Sequence, residues 1–212
     1  MAVLDLQEQE QVEALKGWWK DNRNWILGTL LTALVATTGW RGWQYYQHQQ
    51  AADAATLYQQ VVDQVGTRDA KRVNDAAAAI MDKYASTTYA AQAALLAAQV
   101  NEQNKDLAQA GTQLKWVIDH SGMPTIRDVA RLRLATILLD QQKFADALQQ
   151  LDAKHADAFD GLFLDLRGDV LNAQGKTEEA RSAYKLAYEK MEAGSMYRSL
   201  IQMKLDALGS AK

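Results

Sequence analysis

A hexapeptide that recurs three times constrains the fold of this chain more than any other feature. The copies are KDLAQA at 105–110, QKFADA at 142–147 and GKTEEA at 175–180, and their closing alanines lie 37 and 33 residues apart. Each copy combines a turn with the start of a helix, and its small alanine allows that helix to approach a partner closely. Three copies in register predict a solenoid of helical hairpins.

The positions around these copies resemble tetratricopeptide (TPR) repeats, whose period is 34 residues. In the last copy, the family's small, aromatic and small positions fall on Gly168, Tyr184 and Ala187. The resemblance implies an all-α domain of stacked helix pairs. Three residues stand where the family has apolar or small ones: Asn101, Lys154 and Arg167.

The predicted helices follow from apolar periodicity and from the breakers between them. Abundant Ala, Gln and Leu with a single proline, Pro124, favour helix almost throughout. The last predicted helix covers the exposed end of the final pair, as a capping helix does. The predicted spans are 44–65, 69–84, 88–103, 106–120, 126–141, 144–153, 158–174, 177–192 and 196–208.

Residues 24–40 form the longest uncharged run, closed by Arg23 and Arg41. Seventeen helical residues reach about 25 Å, near the short end of what spans a hydrocarbon core. Trp25 and Trp40 stand where tryptophans mark headgroup levels. We therefore expect an all-α chain with a single N-terminal transmembrane helix followed by a TPR-like helical-hairpin solenoid.

Two alternatives for this run are a cleaved signal peptide and a buried core helix. The acidic tail before the run fits a signal peptide less well, and the paired tryptophans at its ends fit a core helix less well. Basic residues concentrate before the run, which predicts a cytoplasmic N-terminus. The predicted domains are a cytoplasmic tail at 1–23, an anchor and flank at 24–43, and a TPR-like domain at 44–212 on the other side of the membrane. One face of the anchor carries the small residues Gly28, Thr32 and Gly39. They would allow close packing against a second membrane helix, or they are simply tolerated in lipid.

Residues suited to catalysis or metal binding are scattered. The chain has no cysteine, and its three histidines, His48, His120 and His155, are far apart. No serine elbow or glycine-rich phosphate loop is present. The chain is therefore predicted not to be an enzyme, with no catalytic residue, no cofactor and no metal. Its 23 basic and 26 acidic residues nearly balance, which disfavours nucleic acid as a partner.

The TPR resemblance implies a partner-binding row on the first helix of each pair. Alternatively, the leucines of this row fill the core and its two aspartates belong to a solvated face. An enzymatic interpretation would combine the aspartates with Arg133. The row comprises Val129, Leu132, Thr136, Leu139, Leu162, Asp165, Asp169 and Asn172.

Motifs along the whole chain resemble the family of ancillary subunits of the bacterial SecYEG translocon. The motifs are EQVEALK at 10–16, WWK at 18–20, GWRxW at 39–43, DLRGD at 165–169 and QMK at 202–204. The sequence departs from the family at 22–24, where a glycine usually follows the first asparagine.

This second resemblance implies an inner-membrane protein of Gram-negative bacteria with a periplasmic TPR-like domain. Its implied partners are SecYEG, a membrane-anchored periplasmic chaperone of the prolyl-isomerase type, unfolded secretory clients and membrane lipid. The expected function is a non-enzymatic scaffold or chaperone-like factor for newly secreted periplasmic and outer-membrane proteins. The alternative is a cell-envelope assembly or stress-signalling adaptor that acts through its cytoplasmic tail.

Overall fold

The computed structural model describes residues 6–67 and 69–210, and these form nine α-helices and one 3₁₀ turn. Residues 1–5 of the predicted cytoplasmic tail lie outside the described residues. The helices are α1 (Leu6–Val65), α2 (Ala70–Lys83), α3 (Thr88–Gln103), α4 (Leu107–His120), α5 (Pro124–Asp140), α6 (Phe144–Leu151), α7 (Asp160–Ala173), α8 (Thr177–Lys190) and α9 (Met196–Ser210).

The all-helical, TPR-like part of the prediction is confirmed. The three pairs α3–α4, α5–α6 and α7–α8 carry the repeated hexapeptides, and each helix packs on its neighbours in the chain. Helix α6 ends at Leu151, two residues earlier than predicted. Lys154 lies exposed in the loop that follows, which explains why the small residue of the TPR pattern is not needed there.

Each hexapeptide begins with a residue in the left-handed conformation, which reverses the chain between the two helices of a pair. The φ angles are 63° at Lys105, 57° at Gln142 and 77° at Gly175. The N–H of Gln142 donates to the carbonyl of Leu139 at 2.8 Å, and the next N–H, from Lys143, donates to Leu138 at 2.8 Å. The other two turns repeat this arrangement, which is the Schellman ending of a helix.

The alanines that close the hexapeptides lie in the core between paired helices. Ala110, Ala147 and Ala180 are all fully buried. They belong to apolar clusters that run from α3 to α7 and from α7 to α9, while a third cluster joins the C-terminal part of α1 to α2 and α3. A continuous core built between neighbouring repeats is how a solenoid buries its apolar faces.

The departures from the TPR pattern at Asn101 and Arg167 have local explanations. Asn101 is 1% exposed, and its side-chain nitrogen donates to the amide oxygens of Asn74 at 2.9 Å and Gln113 at 2.8 Å. The nitrogen of Gln113 donates back to Asn74 at 2.8 Å. These bonds satisfy a buried amide that would otherwise be costly. Arg167 is half-buried and forms an ion pair with Asp152 in the loop after α6.

The contacts divide the chain into two units, one up to Gln49 and one from Gln50 onward. The predicted transmembrane helix is wrong: within 6–67 and 69–210, no helix combines the length and the apolarity that crossing a membrane requires. Helix α1 is 60 residues long, but its uncharged run contains four threonines, two glycines and Asn24, and charged Arg23 and Arg41 limit it. The anchor assigned to 24–43, and the orientation that depended on it, lose their basis.

Candidate functional site

The predicted partner-binding row begins on α5, where its members differ in exposure. Val129 and Thr136 are exposed, and the Thr136 hydroxyl donates to the carbonyl of Leu132 at 3.0 Å. Leu132 and Leu139 are half-buried and pack against the large apolar cluster. On this helix, Val129 and Thr136 are therefore the members accessible to a partner, while the two leucines also hold the repeats together.

On α7 the row approaches the C-terminal helix. Leu162 is half-buried and Asn172 is exposed, whereas the side chains of Asp165 and Asp169 are only 14% and 29% exposed. Both carboxylates are covered by Lys204 of α9. Its Nζ lies 2.9 Å from both oxygens of Asp165 and 2.7 Å and 2.8 Å from the two oxygens of Asp169.

Tyr184 on α8 completes this charged cluster. Its ring is 2% exposed, and its hydroxyl donates to Oδ1 of Asp169 at 2.8 Å. The Lys204 ammonium also lies 5.5 Å from the centre of the Tyr184 ring, within the range of a cation–π contact. The cluster of Asp165, Asp169, Tyr184 and Lys204 thus joins three helices, and we call it the α9 cluster.

Burial and hydrogen bonding set the protonation states in the α9 cluster. Burial raises the pKa of Asp165, although Lys204 opposes this shift. Burial lowers the pKa of Lys204, but its hydrogen bonds to Asp169 and Asp165 outweigh that effect and leave the pKa raised. Burial, followed by the hydrogen bond to Asp169, raises the pKa of Tyr184 far above its ordinary range. Near neutral pH, the structure therefore favours an ammonium and a neutral phenol.

The interpretation of Asp165 and Asp169 as part of a solvated face is wrong, because α9 and α8 enclose them. The enzymatic combination with Arg133 is not formed either. The guanidinium of Arg133 pairs with Glu102 at 3.0 Å and donates to the carbonyl of Leu95 at 3.2 Å. Within the part of the chain that the structure describes, no group of three His, Cys, Asp or Glu side chains could hold a metal ion.

The second predicted set, Gly28, Thr32 and Gly39, lies on α1. Among the described residues, a β-carbon added to Gly28 or Gly39 would meet no other atom within 4 Å, apart from its own helix backbone and chain neighbours. The Thr32 hydroxyl donates to the carbonyl of Gly28 at 2.9 Å, within the same helix. Their predicted packing role depended on a membrane-spanning helix and loses its basis with it.

Sequence reasoning missed Lys204, the residue that organises the α9 cluster. The signal was present, because the DLRGD and QMK motifs that carry the translocon-subunit resemblance contain the two aspartates and Lys204. The two motifs lie 33 residues apart in the sequence. They come into contact only because α9 packs on α8 and α7.

Comparison with known proteins adds independent information. The model of the family described as a tetratricopeptide repeat-like domain matches residues 16–210. Proteins named ancillary SecYEG translocon subunit match nearly the full chain. The protein of Neisseria gonorrhoeae is 33% identical over 96% of this chain and 98% of its own. That of Aggregatibacter actinomycetemcomitans is 29% identical over 96% of this chain and 98% of its own. That of Escherichia coli K12 is 29% identical over 95% of this chain and 96% of its own.

Proposed function

This chain belongs to the ancillary SecYEG translocon subunit family, and we propose that it is a non-enzymatic scaffold that associates with the SecYEG translocon. The observation that carries the proposal is the nearly full-length similarity to relatives of that name, together with stacked helix pairs of the TPR-like type. Repeat scaffolds of this kind provide extended surfaces that bind other polypeptides.

The α5 part of the row is the surface that best suits this role. Val129 and Thr136 lie on the first helix of a pair and are exposed, so a partner segment can reach them without disturbing the core. On α7, Asn172 is exposed as well. Asp165 and Asp169 contribute less, because Lys204 already neutralises them in part.

The finer parts of the proposal concern partners and location. Association with a membrane channel would place the protein at the inner membrane. There it would assist newly secreted proteins, by recruiting a periplasmic prolyl-isomerase-type chaperone or by contacting unfolded clients. The motifs at 165–169 and 202–204 that resemble this family support the role, since the structure joins them in one cluster.

Site-specific photocrosslinking tests the association. A photoreactive residue at position 129 or 136 of the full chain should crosslink to purified SecYEG. Positions 149 and 185 are exposed but lie on the second helices α6 and α8, and they serve as matched controls. Equal yields at all four positions, or no crosslink at any, would contradict the proposed surface.

A deletion distinguishes the scaffold from an adaptor that acts through its N-terminal tail. Removal of residues 1–20 leaves α2 to α9 unchanged in sequence, so crosslinking from position 129 should persist. Loss of that crosslink in a chain that keeps its helicity would favour the adaptor.

A further inference from the structure

A cleft on a different face of α5 carries an arrangement that the scaffold role does not explain. It lies between the end of α4, the first two turns of α5 and the loop after α6, and its volume is about 580 Å³. The lining combines apolar and charged side chains. They are Ile118, Pro124, Arg127, Asp128, Arg131, Lys154, His155 and Ala156.

The cleft concentrates positive charge. Arg127 and Arg131 lie one helical turn apart on α5, and Lys154 extends from the opposite loop. Among the described residues, none of these three forms an ion pair with a carboxylate. Asp128 is 3% exposed, and its Oδ2 accepts the N–H of Ala156 at 3.1 Å, so it holds the loop against α5.

Hydrogen bonds hold the two guanidinium groups in place. Nη1 of Arg127 donates to the carbonyl of Ser121 at 3.1 Å, and Nη1 of Arg131 donates to Oε1 of Gln150 at 3.4 Å. A guanidinium has five N–H donors, so each arginine retains donors for a ligand. A positioned guanidinium binds a carboxylate through two parallel hydrogen bonds, which makes it more selective than a mobile ammonium.

The loop after α6, which forms one side of the cleft, is also held in place at His155. The ring of His155 stacks on Phe163 with 3.8 Å between centroids, and its Nδ1 lies 2.9 Å from the carbonyl oxygen of Ala153. Its Nε2 lies 3.3 Å from Asp160, whose other oxygen accepts from Lys190 at 2.7 Å. Asp160 is thus already paired. The lining itself sets the carboxylate of Asp128, which accepts from Ala156, against the three cations Arg127, Arg131 and Lys154, so an excess of positive charge remains for an external ligand.

We propose that this cleft binds an acidic segment of a partner polypeptide. Two neighbouring carboxylates of the segment pair with Arg127 and Arg131, and Lys154 closes over them from the loop. An adjacent apolar side chain packs on Ile118 and Pro124. A segment rather than a small anion is favoured because the volume is many times that of one carboxylate, and because the lining offers apolar surface beside the charges.

Fluorescence anisotropy with the full chain tests this proposal without the translocon. The probe is a labelled peptide with one leucine followed by two glutamates, and its matched control carries two glutamines instead. The glutamate peptide should bind at least about tenfold more tightly, because charge-assisted hydrogen bonds are the stronger class. Arg127→Gln and Arg131→Gln should each weaken its binding by about tenfold.

Matched variants separate the cleft from general attraction to positive charge. Lys115→Gln and Lys185→Gln remove exposed cations outside the cleft and should leave the affinity within about twofold. Lys154→Gln changes an exposed loop residue of the cleft and should also weaken binding of the glutamate peptide. It therefore tests the cleft even if an arginine variant loses helicity. Equal weakening by all variants would overturn the proposal. So would displacement of the peptide by equimolar inorganic phosphate, or binding of phosphatidylglycerol vesicles in place of the peptide.

Discussion

The ring of Tyr184 occupies the space that a β-carbon on Gly168 would need. Such a carbon would lie 2.9 Å from Cζ of the ring and closer still to Cδ1 and Cε1. Helices α7 and α8 therefore meet at a glycine, and the Tyr184 hydroxyl can reach Asp169, the next residue of α7. The small and aromatic positions of the TPR pattern are thus the two sides of a single contact between α7 and α8.

Gly168→Ala should destabilise the protein by about 1–3 kcal/mol, because the ring of Tyr184 cannot move aside within a packed core. Gly111→Ala is the matched control, since its added carbon would meet Leu134 at 3.7 Å, an ordinary contact. That control should gain up to about 1 kcal/mol from helix propensity. Urea unfolding of both variants measures the difference, and similar stabilities would refute the close approach.

Gln142→Gly should stabilise the protein by about 0.5–1 kcal/mol. Gln142 adopts a φ of 57°, a left-handed conformation that is unfavourable for any residue with a β-carbon. The converse change, Gly175→Ala, introduces that strain at a φ of 77° and should cost about 1 kcal/mol. Thermal melting followed by circular dichroism compares the two, and shifts of the same sign would contradict this account.

Lys204→Met should destabilise the attachment of α9 by about 1–3 kcal/mol. The methionine preserves the apolar stem, but it leaves Asp165 and Asp169 enclosed without their cation. Amide hydrogen exchange should therefore accelerate in α9 and α8 more than in α3 and α4. Uniform acceleration would show that α9 does not open independently.

A double-mutant cycle assigns that loss to the ion pairs. Asp165→Asn should lower the free energy of unfolding less in the Lys204→Met background than in the wild type, because the ion pair between Asp165 and Lys204 is already absent there. Additive effects of the two changes would mean that Lys204 and Asp165 do not interact energetically.

Stability should fall as the pH rises above about 10. The pKa values of Lys204 and Tyr184 are both raised in the folded state from their ordinary values of 10.5 and 10.0. Their stabilisation is complete below those values and is lost at higher pH, because the unfolded chain releases protons that the folded chain retains. Urea unfolding at a series of pH values should show a shallower decline in Tyr184→Phe than in the wild type.

The repeated pairs could be predicted because their determinants are local. Ala110, Ala147 and Ala180 are buried near the start of the second helix of each pair, and the turns at Lys105, Gln142 and Gly175 precede them by five residues. Such patterns depend on residues within one hairpin, so periodicity reveals them. Even so, left-handed turns at a lysine and a glutamine are not evident from residue type alone.

The α9 cluster could not be predicted, because it depends on contacts between residues far apart in the chain. Asp165 and Lys204 are 39 residues apart, and either one alone looks like an ordinary charge on a helix surface. The transmembrane prediction failed for a different reason. It weighed the absence of charge in 24–40, whereas its threonines, glycines and Asn24 make the run too polar for its length.

The hydrogen-bonded amides of Asn74, Asn101 and Gln113, the last two of them buried, determine how α3 is aligned with its neighbours. Helix α3 buries six alanines, and a slip of one turn would bring Ala94 to the place of Ala90 and Ala97 to that of Ala93. Apolar packing alone distinguishes poorly between such alignments. The slip would separate Asn101 from both of its partners and leave buried amides unbonded. A departure from the repeat pattern thus gives an alanine-rich helix a single register.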